Sequence, residues 1–158
     1  MMMNSTTDNF DKLIDQVQTT RKRTIEVIDT YYSELENLTE DISSCSSSSV
    51  LWGYRDRLEE MRAGTYKLIK STTRNLGSAK EAYNDGMRNA MSRMKSTGGL
   101  HFSEREASYE TKNIGSYKIL TNLERSLSDL SNFSRYLDGR LQWIKDRQRW
   151  LLEKEKGL

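Results

Sequence analysis

The sequence predicts an all-α protein in which extended long helices form a helical hairpin or coiled-coil-like bundle. Proline is absent from all 158 residues and glycine occurs only nine times, so few positions force a helix to break. Apolar side chains recur at alternating three- and four-residue spacing, which is typical of one face of a helix. Apolar residues make up 35% of the chain and charged residues 30%, which leaves little material for a wide globular core.

The first predicted helix is acidic and spans residues 10–42, after a disordered N-terminus at residues 1–9 in which Thr7 or Asp8 could cap the helix. Its stripe, narrow enough for a coiled-coil seam, consists of Phe10, Ile14, Val17, Arg21, Thr24, Ile28, Tyr31, Leu35, Leu38 and Ile42. Residues 43–49 are six serines and Cys45. Because serine side chains compete with the helix for backbone hydrogen bonds, this segment predicts a turn.

Residues 50–158 are predicted to form a long helical hairpin with a connector near residues 96–103. Gly64, Gly77 and Gly86 each cost about 1 kcal/mol relative to alanine in a helix interior, so we expect the first arm to be weak, bent or frayed. Gly98-Gly99 is expected to end that arm. The run Ser103-Glu104-Arg105-Glu106 has the form of a capping box and predicts the start of the second arm.

The last helix has the strongest apolar stripe. Seven of its members are expected to form an oligomer seam, namely Leu120, Leu123, Leu127, Leu130, Leu137, Leu141 and Ile144. At about 1.5 Å per residue, a helix of about 45 residues is roughly 65 Å long. Helices of unequal length would leave apolar surface exposed in a lone chain, so we predict a homo-oligomer.

No pattern in the sequence is typical of an enzyme. The single histidine, His101, lies in the glycine-containing connector, and carboxylate pairs such as Glu59-Glu60 have no histidine at metal-ligand spacing. No glycine-rich phosphate loop occurs. We expect no catalysis, no cofactor and no metal. One cysteine, no apolar run of membrane-spanning length and no signal peptide predict a soluble cytoplasmic protein without a membrane partner.

The charge distribution points to the second and third segments as possible binding surfaces. Residues 1–49 carry four Lys/Arg and nine Asp/Glu, residues 50–102 carry ten and five, and residues 103–158 carry eleven and nine. On the second helix, Lys67, Lys70 and Arg74 lie on one side, where either a nucleic-acid contact or an ordinary solvated face explains them.

A more specific pattern lies near the C-terminus. One stripe of the last helix contains Arg140, Trp143, Arg147, Trp150 and Lys154. Cations that neutralise phosphates, interleaved with indoles on which bases stack at about 1–3 kcal/mol each, are what single-strand binding requires. The alternative is that the indoles pack in a helical interface while arginine stems cover them. Both interpretations remain open at this point.

A resemblance adds to this pattern. Its features are a long basic helix ending at Met94-Lys95, the connector Gly98-Gly99-Leu100-His101-Phe102-Ser103, regular leucines from Tyr117-Lys118-Ile119-Leu120 to Leu130, and a late aromatic and basic segment from Tyr136-Leu137 through Lys145-Asp146-Arg147. In these features the chain from about residue 50 onward resembles phage recombination mediators of the UvsY type. The resemblance implies a homo-oligomer in the host cytoplasm that binds single-stranded DNA. It also implies that the protein helps to load a RecA-like recombinase onto strands covered by single-strand-binding protein.

The main alternative is a helical scaffold or an assembly or secretion adaptor that acts through coiled-coil contacts without nucleic acid. The extended stripes support it directly, and mixed charges on the first and third helices suit ion pairs that set helix register. A membrane-surface protein is less favoured, because no helix sets a strongly basic face against a strongly apolar one.

Overall fold

A computed structural model of the chain describes residues 5–96 and 116–157. In that part of the chain there are three α-helices and no strand, which confirms the predicted all-α class. The helices are α1 (Ser5–Ser44), α2 (Leu51–Ser96) and α3 (Ser116–Glu155). The predicted connector from residue 97 onward and the predicted capping box at residues 103–106 lie outside the described residues.

Helix α1 begins at Ser5, five residues before the start at residue 10 that the apolar stripe predicts. The run from Ser5 to Asp8 consists of residues that are favoured at helix starts, and the sequence reading placed the start only a few residues later. The helix ends at Ser44, inside the serine-rich segment, and the amide of Cys45 donates to the carbonyl of Ile42 (3.2 Å). The predicted turn between the first two helices is therefore present.

Helix α2 continues without a break through Gly64, Gly77 and Gly86. At Gly64 the absence of a side chain has a structural use, because a Cβ atom there would lie 2.8 Å from the hydroxyl oxygen of Tyr31 on α1. At Gly77 no atom lies within 4 Å of the corresponding position. The helix is therefore continuous across its glycines, and the weakness, bending or fraying expected there stays a prediction.

Helix α3 ends in a left-handed glycine. Gly157 has a φ of 75°, and its amide donates to the carbonyl of Lys154 (3.1 Å). The amide of Lys156 donates to the carbonyl of Leu152 (3.2 Å). Glycine is the usual residue just past a helix C-terminus, because it adopts positive φ without steric cost.

Each helix contributes one segment to each of two compact units, which are described separately. Unit 2 comprises Thr24–Lys70 and Ser128–Leu158. Its core consists of Ile28, Leu35, Ile42, Leu51, Leu58, Met61, Leu130, Phe133, Leu137, Leu141, Ile144 and Leu151. In this unit α2 runs antiparallel to both other helices. Against α1, Arg57 pairs with Glu34 (2.6 Å) while the later Gly64 faces the earlier Tyr31. Against α3, Arg55 bonds to Gln148 (2.6 Å) while the later Arg62 pairs with the earlier Asp138 (3.2 Å).

Unit 1 comprises Met1–Arg23 and Ser71–Leu127. Its core is smaller and consists of Leu76, Ala79, Ile119 and Leu123, with Ile14, Val17, Leu120 and Leu127 packed against them. Arg21, the cation that interrupts the apolar stripe of α1, donates from Nη1 to the hydroxyl of the buried Ser126 (3.2 Å). A cation at this position is thus accommodated by a polar residue of α3.

The seven residues predicted to form an oligomer seam all take part in the cores of a single chain. Leu130, Leu137, Leu141 and Ile144 are buried in unit 2, and Leu123 is buried in unit 1. Leu120 and Leu127 are partly buried against the core of unit 1. Contacts within one chain account for the burial of the whole set, and the homo-oligomer remains a prediction.

Candidate nucleic-acid interface

Aromatic and cationic side chains alternate along one side of α3 within unit 2. The alternation runs through Tyr136, Arg140, Trp143, Arg147, Trp150 and Lys154, which we call the α3 ladder. The guanidinium carbon of Arg140 lies 5.3 Å from the ring centre of Tyr136 and 5.6 Å from that of Trp143. The ring of Trp150 lies 5.9 Å from the guanidinium of Arg147 and 4.9 Å from Nζ of Lys154. The five residues predicted from the sequence thus share one stripe.

The half of the ladder nearer the start of α3 is part of the core. Tyr136 packs against Tyr32 of α1 with ring centres 4.9 Å apart, and Trp143 is partly buried against the core of unit 2. Arg140 donates from Nε to the hydroxyl of Tyr136 (3.2 Å). Burial, and to a lesser degree the neighbouring Tyr136, raises the pKa of Tyr32 above its ordinary value. Here the packing interpretation of the sequence describes the side chains better than base stacking does.

Arg147 binds the C-terminal end of α1. Its Nε donates to the carbonyl of Ile42 (2.9 Å), and its Nη2 donates to the carbonyls of Ser43 (2.7 Å) and Cys45 (3.2 Å). The last carbonyls of a helix have no partner within the helix and carry its negative dipole end, so a guanidinium is well suited to them. Arg147 therefore has a structural role that the sequence did not indicate.

Trp150 and Lys154 form the open end of the ladder. The indole of Trp150 is 52% exposed and Lys154 is also exposed. The contacts of Trp150 with Arg147 and Lys154 place two cations close to its ring. A ring with an accessible face and a nearby ammonium can stack on a base while the cation neutralises a phosphate.

The second predicted basic group is exposed. Lys67 and Lys70 belong to unit 2, and Arg74 belongs to unit 1. None of the three forms an ion pair with another described residue, so their charges are not compensated locally. No described contact joins Lys67 or Lys70 to the α3 ladder.

The serine-rich turn is held in place by α3, which sequence reasoning missed. The carboxylate of Glu155 accepts from the amide (2.8 Å) and the hydroxyl (2.6 Å) of Ser48, and these bonds lower the pKa of Glu155. Gln148, only 6% exposed, donates to the carbonyl of Ser48 (3.0 Å) and accepts from Nη1 of Arg55 (2.6 Å). Gln148 is a polar residue at a core position of the apolar stripe of α3. This pattern is the one feature of the sequence that could have indicated a buried hydrogen-bond partner at this position.

Sequence reasoning also missed Trp52, in the first turn of α2. Its ring is 55% exposed, and the guanidinium of Arg55 lies 4.3 Å from the ring centre. Here the arginine follows the tryptophan by three residues, whereas in the α3 ladder an arginine precedes each tryptophan by three. Unit 2 therefore exposes two tryptophans, each with a cation at its ring.

A comparison with known protein families, curated proteins and solved structures finds no match to this chain. Within residues 5–96 and 116–157, no helix combines the length and the apolarity needed to cross a membrane. The same described residues contain no group of three or more His, Cys, Asp or Glu that could hold a metal ion.

Proposed function

We propose that this chain is a single-stranded-DNA-binding accessory protein, a recombination mediator that acts as a homo-oligomer and assists recombinase loading. The observation that supports DNA binding best is the open end of the α3 ladder, where the exposed ring of Trp150 lies 4.9 Å from Nζ of Lys154. The mediator role, with a recombinase and a single-strand-binding protein as partners, rests on the resemblance of residues 50–158 to the UvsY type.

The chemistry of this open end suits a strand more than a duplex. Bases in a single strand offer their flat faces, and stacking on an aromatic side chain stabilises a complex by about 1–3 kcal/mol per base. The ammonium of Lys154 would neutralise a neighbouring phosphate and release a counterion. Because every base has such a face, binding of this kind depends little on sequence.

The formal net charge of only +2 argues that a single chain binds weakly. Several modest sites on one oligomer that engage the same strand together raise the overall affinity well above that of one site. Lys67, Lys70 and Arg74, which form no ion pair with another described residue, would add a further attraction that falls with salt. Self-assembly is therefore a functional requirement of this proposal.

The test is fluorescence anisotropy of labelled single- and double-stranded oligonucleotides across a salt series, with the mass of the protein determined in the same buffers. We expect an oligomer that prefers single strands and loses affinity as salt rises. Trp150→Ala should weaken binding by about 1–3 kcal/mol, and Trp150→Phe should restore part of the loss because it keeps a ring. Lys154→Ala should reduce the dependence of log affinity on log salt by about 0.7 per site.

Lys156→Ala is the matched control, because it removes another exposed cation two residues beyond the ladder. We expect it to leave the stacking contribution unchanged. Arg147→Ala is not a suitable probe, since it removes three hydrogen bonds to the end of α1 and would disturb the fold. Absence of binding at low salt would refute the DNA-binding proposal.

The second candidate is a helical scaffold or an assembly or secretion adaptor without nucleic acid. It is favoured by two exposed apolar residues, Val50 in the turn just before α2 and Leu152 near the end of α3. In sequence both lie close to Ser48 and Glu155, which are joined by hydrogen bonds. Under this hypothesis, replacing Val50 and Leu152 with serine should lower the oligomer mass or abolish partner binding. The Trp150 and Lys154 variants should then have little effect.

A further inference from the structure

Trp52 is the most exposed tryptophan of the described residues, and the cation at its ring, Arg55, is held by a hydrogen bond to a buried residue. Arg55 lies with its guanidinium 4.3 Å from the ring centre of Trp52 and donates from Nη1 to Oε1 of Gln148 (2.6 Å). Gln148 in turn donates to the carbonyl of Ser48 (3.0 Å) and is almost completely buried. The pair of ring and guanidinium therefore lies on a preorganised support rather than on a free side chain.

The described side-chain hydrogen bond of Arg55 is made to a neutral group. This partner is the amide of Gln148, and no carboxylate among the described residues forms an ion pair with Arg55. An uncompensated cation next to an exposed ring is the combination that binds a base and its phosphate.

A second pair on the same side of α2 differs in this respect. Tyr66 is 45% exposed and lies 5.3 Å from the guanidinium of Arg62. Arg62, however, forms ion pairs with Asp138 (3.2 Å) and Glu59 (3.8 Å), so its charge is compensated. Of these two described pairs on α2, only Trp52 with Arg55 therefore combines an exposed ring with a cation that forms no ion pair to a described carboxylate.

We propose that Trp52 and Arg55 form a second base-stacking site for a single nucleic-acid strand, in addition to Trp150 and Lys154. This inference rests on the proposed DNA-binding function. The two sites belong to the same end of unit 2, since Gln148, which holds Arg55, is the neighbour in sequence of Arg147, whose guanidinium lies at the ring of Trp150. Two stacking sites on one chain raise the affinity for a continuous strand without a strong site at either position.

The experiment uses the full chain and a labelled oligothymidylate, with anisotropy measured across a salt series. Trp52→Ala should weaken binding at least about fivefold, and Trp52→Phe should recover part of the loss. Arg55→Gln should reduce the dependence of log affinity on log salt by about 0.7 per site. Because Trp52 is exposed, circular dichroism and thermal melting should show its variants to be folded. The same measurements check that Arg55→Gln, which loses the hydrogen bond to Gln148, keeps its fold.

Tyr66→Ala is the matched control, since it removes an exposed ring from the same helix where the neighbouring arginine is compensated. We expect it to change affinity by less than about twofold. Ultraviolet cross-linking of the strand, followed by peptide mapping, gives an independent readout, and adducts are expected at both Trp52 and Trp150.

The outcomes separate this inference from the proposed function. If Trp150→Ala weakens binding while Trp52→Ala binds as the wild type does, the second site is refuted and the proposed function stands. If the wild type binds no strand at low salt, both are refuted. If Trp52→Ala binds the strand normally but loses self-association, the surface is a protein contact and the second site is again refuted.

Discussion

At the scale of single residues, Tyr31 and Gly64 show how one missing methyl group sets the approach of two helices. The ring of Tyr31 stacks on Phe133 with ring centres 5.9 Å apart, which fixes the direction of its hydroxyl. That hydroxyl ends 2.8 Å from where a Cβ of residue 64 would lie, whereas Cζ of the ring would be 3.8 Å away. Only the hydroxyl, therefore, conflicts with a larger residue at position 64.

We predict that the effect of Gly64→Ala depends on Tyr31. In the wild type, the clash should offset or outweigh the gain in helix propensity of about 1 kcal/mol. In a Tyr31→Phe background, the same change should stabilise the protein by about 0.5–1 kcal/mol, as measured by urea denaturation in a double-mutant cycle. Gly139→Ala is the control, because nothing lies within 4 Å of its position and its gain should be the same in both backgrounds. Equal gains at Gly64 in both backgrounds would contradict the clash.

At the scale of helices and turns, the sequence predicts the positions of the elements better than the hydrogen bonds that join one element to another. The serine run correctly predicted a turn, and regular spacing correctly placed Trp150 and Lys154 on one stripe. The spacing could not show that Arg147 would meet the carbonyls at the end of α1, because periodicity on one helix carries no information about what faces it. For the same reason Glu155, a charged residue at a helix end, gave no sign of its bonds to Ser48.

The bonds between Glu155 and Ser48 predict a pH dependence of the end of α3. Hydrogen bonds from Ser48 lower the pKa of Glu155 in the folded protein, so this contribution to stability is complete above the ordinary glutamate pKa. It is lost as pH falls through the lowered pKa of the folded state. We expect the protection of the Ser48 amide against hydrogen exchange, taken relative to its intrinsic exchange rate at each pH, to fall across that acidic range, and Glu155→Gln to remove this change.

Glu153→Gln is the matched control for this change, because it neutralises an exposed carboxylate in the same helical turn. Protection of the Ser48 amide should keep its pH dependence in that variant. A carboxyl-carbon titration that gave Glu155 a pKa at or above the ordinary value would contradict the assignment.

At the scale of the whole molecule, the same apolar stripe was compatible with two arrangements. The leucines of α3 could have met a second copy, as predicted, but in the structure they pack against α1 and α2 of their own chain within each unit. Sequence alone cannot separate these cases, because intrachain and interchain packing both require the same spacing. Among the described residues, a small set of exposed apolar and aromatic side chains is available for contacts with partners. It includes Val50, Trp52, Trp150 and Leu152.

This arrangement gives a direct test of where the leucines act. Leu137 is completely buried in the core of unit 2, so Leu137→Asp would place an unpaired charge among apolar side chains at a cost of several kcal/mol. Since small domains are stable by only about 5–15 kcal/mol, we expect loss of helical circular dichroism at every protein concentration. Leu152→Asp makes the same change at a residue that is 43% exposed and should remain helical. A Leu137→Asp protein that stayed fully helical but formed a smaller oligomer would instead place this leucine in an interface between copies. In that case the core of unit 2 would not be what stabilises the fold.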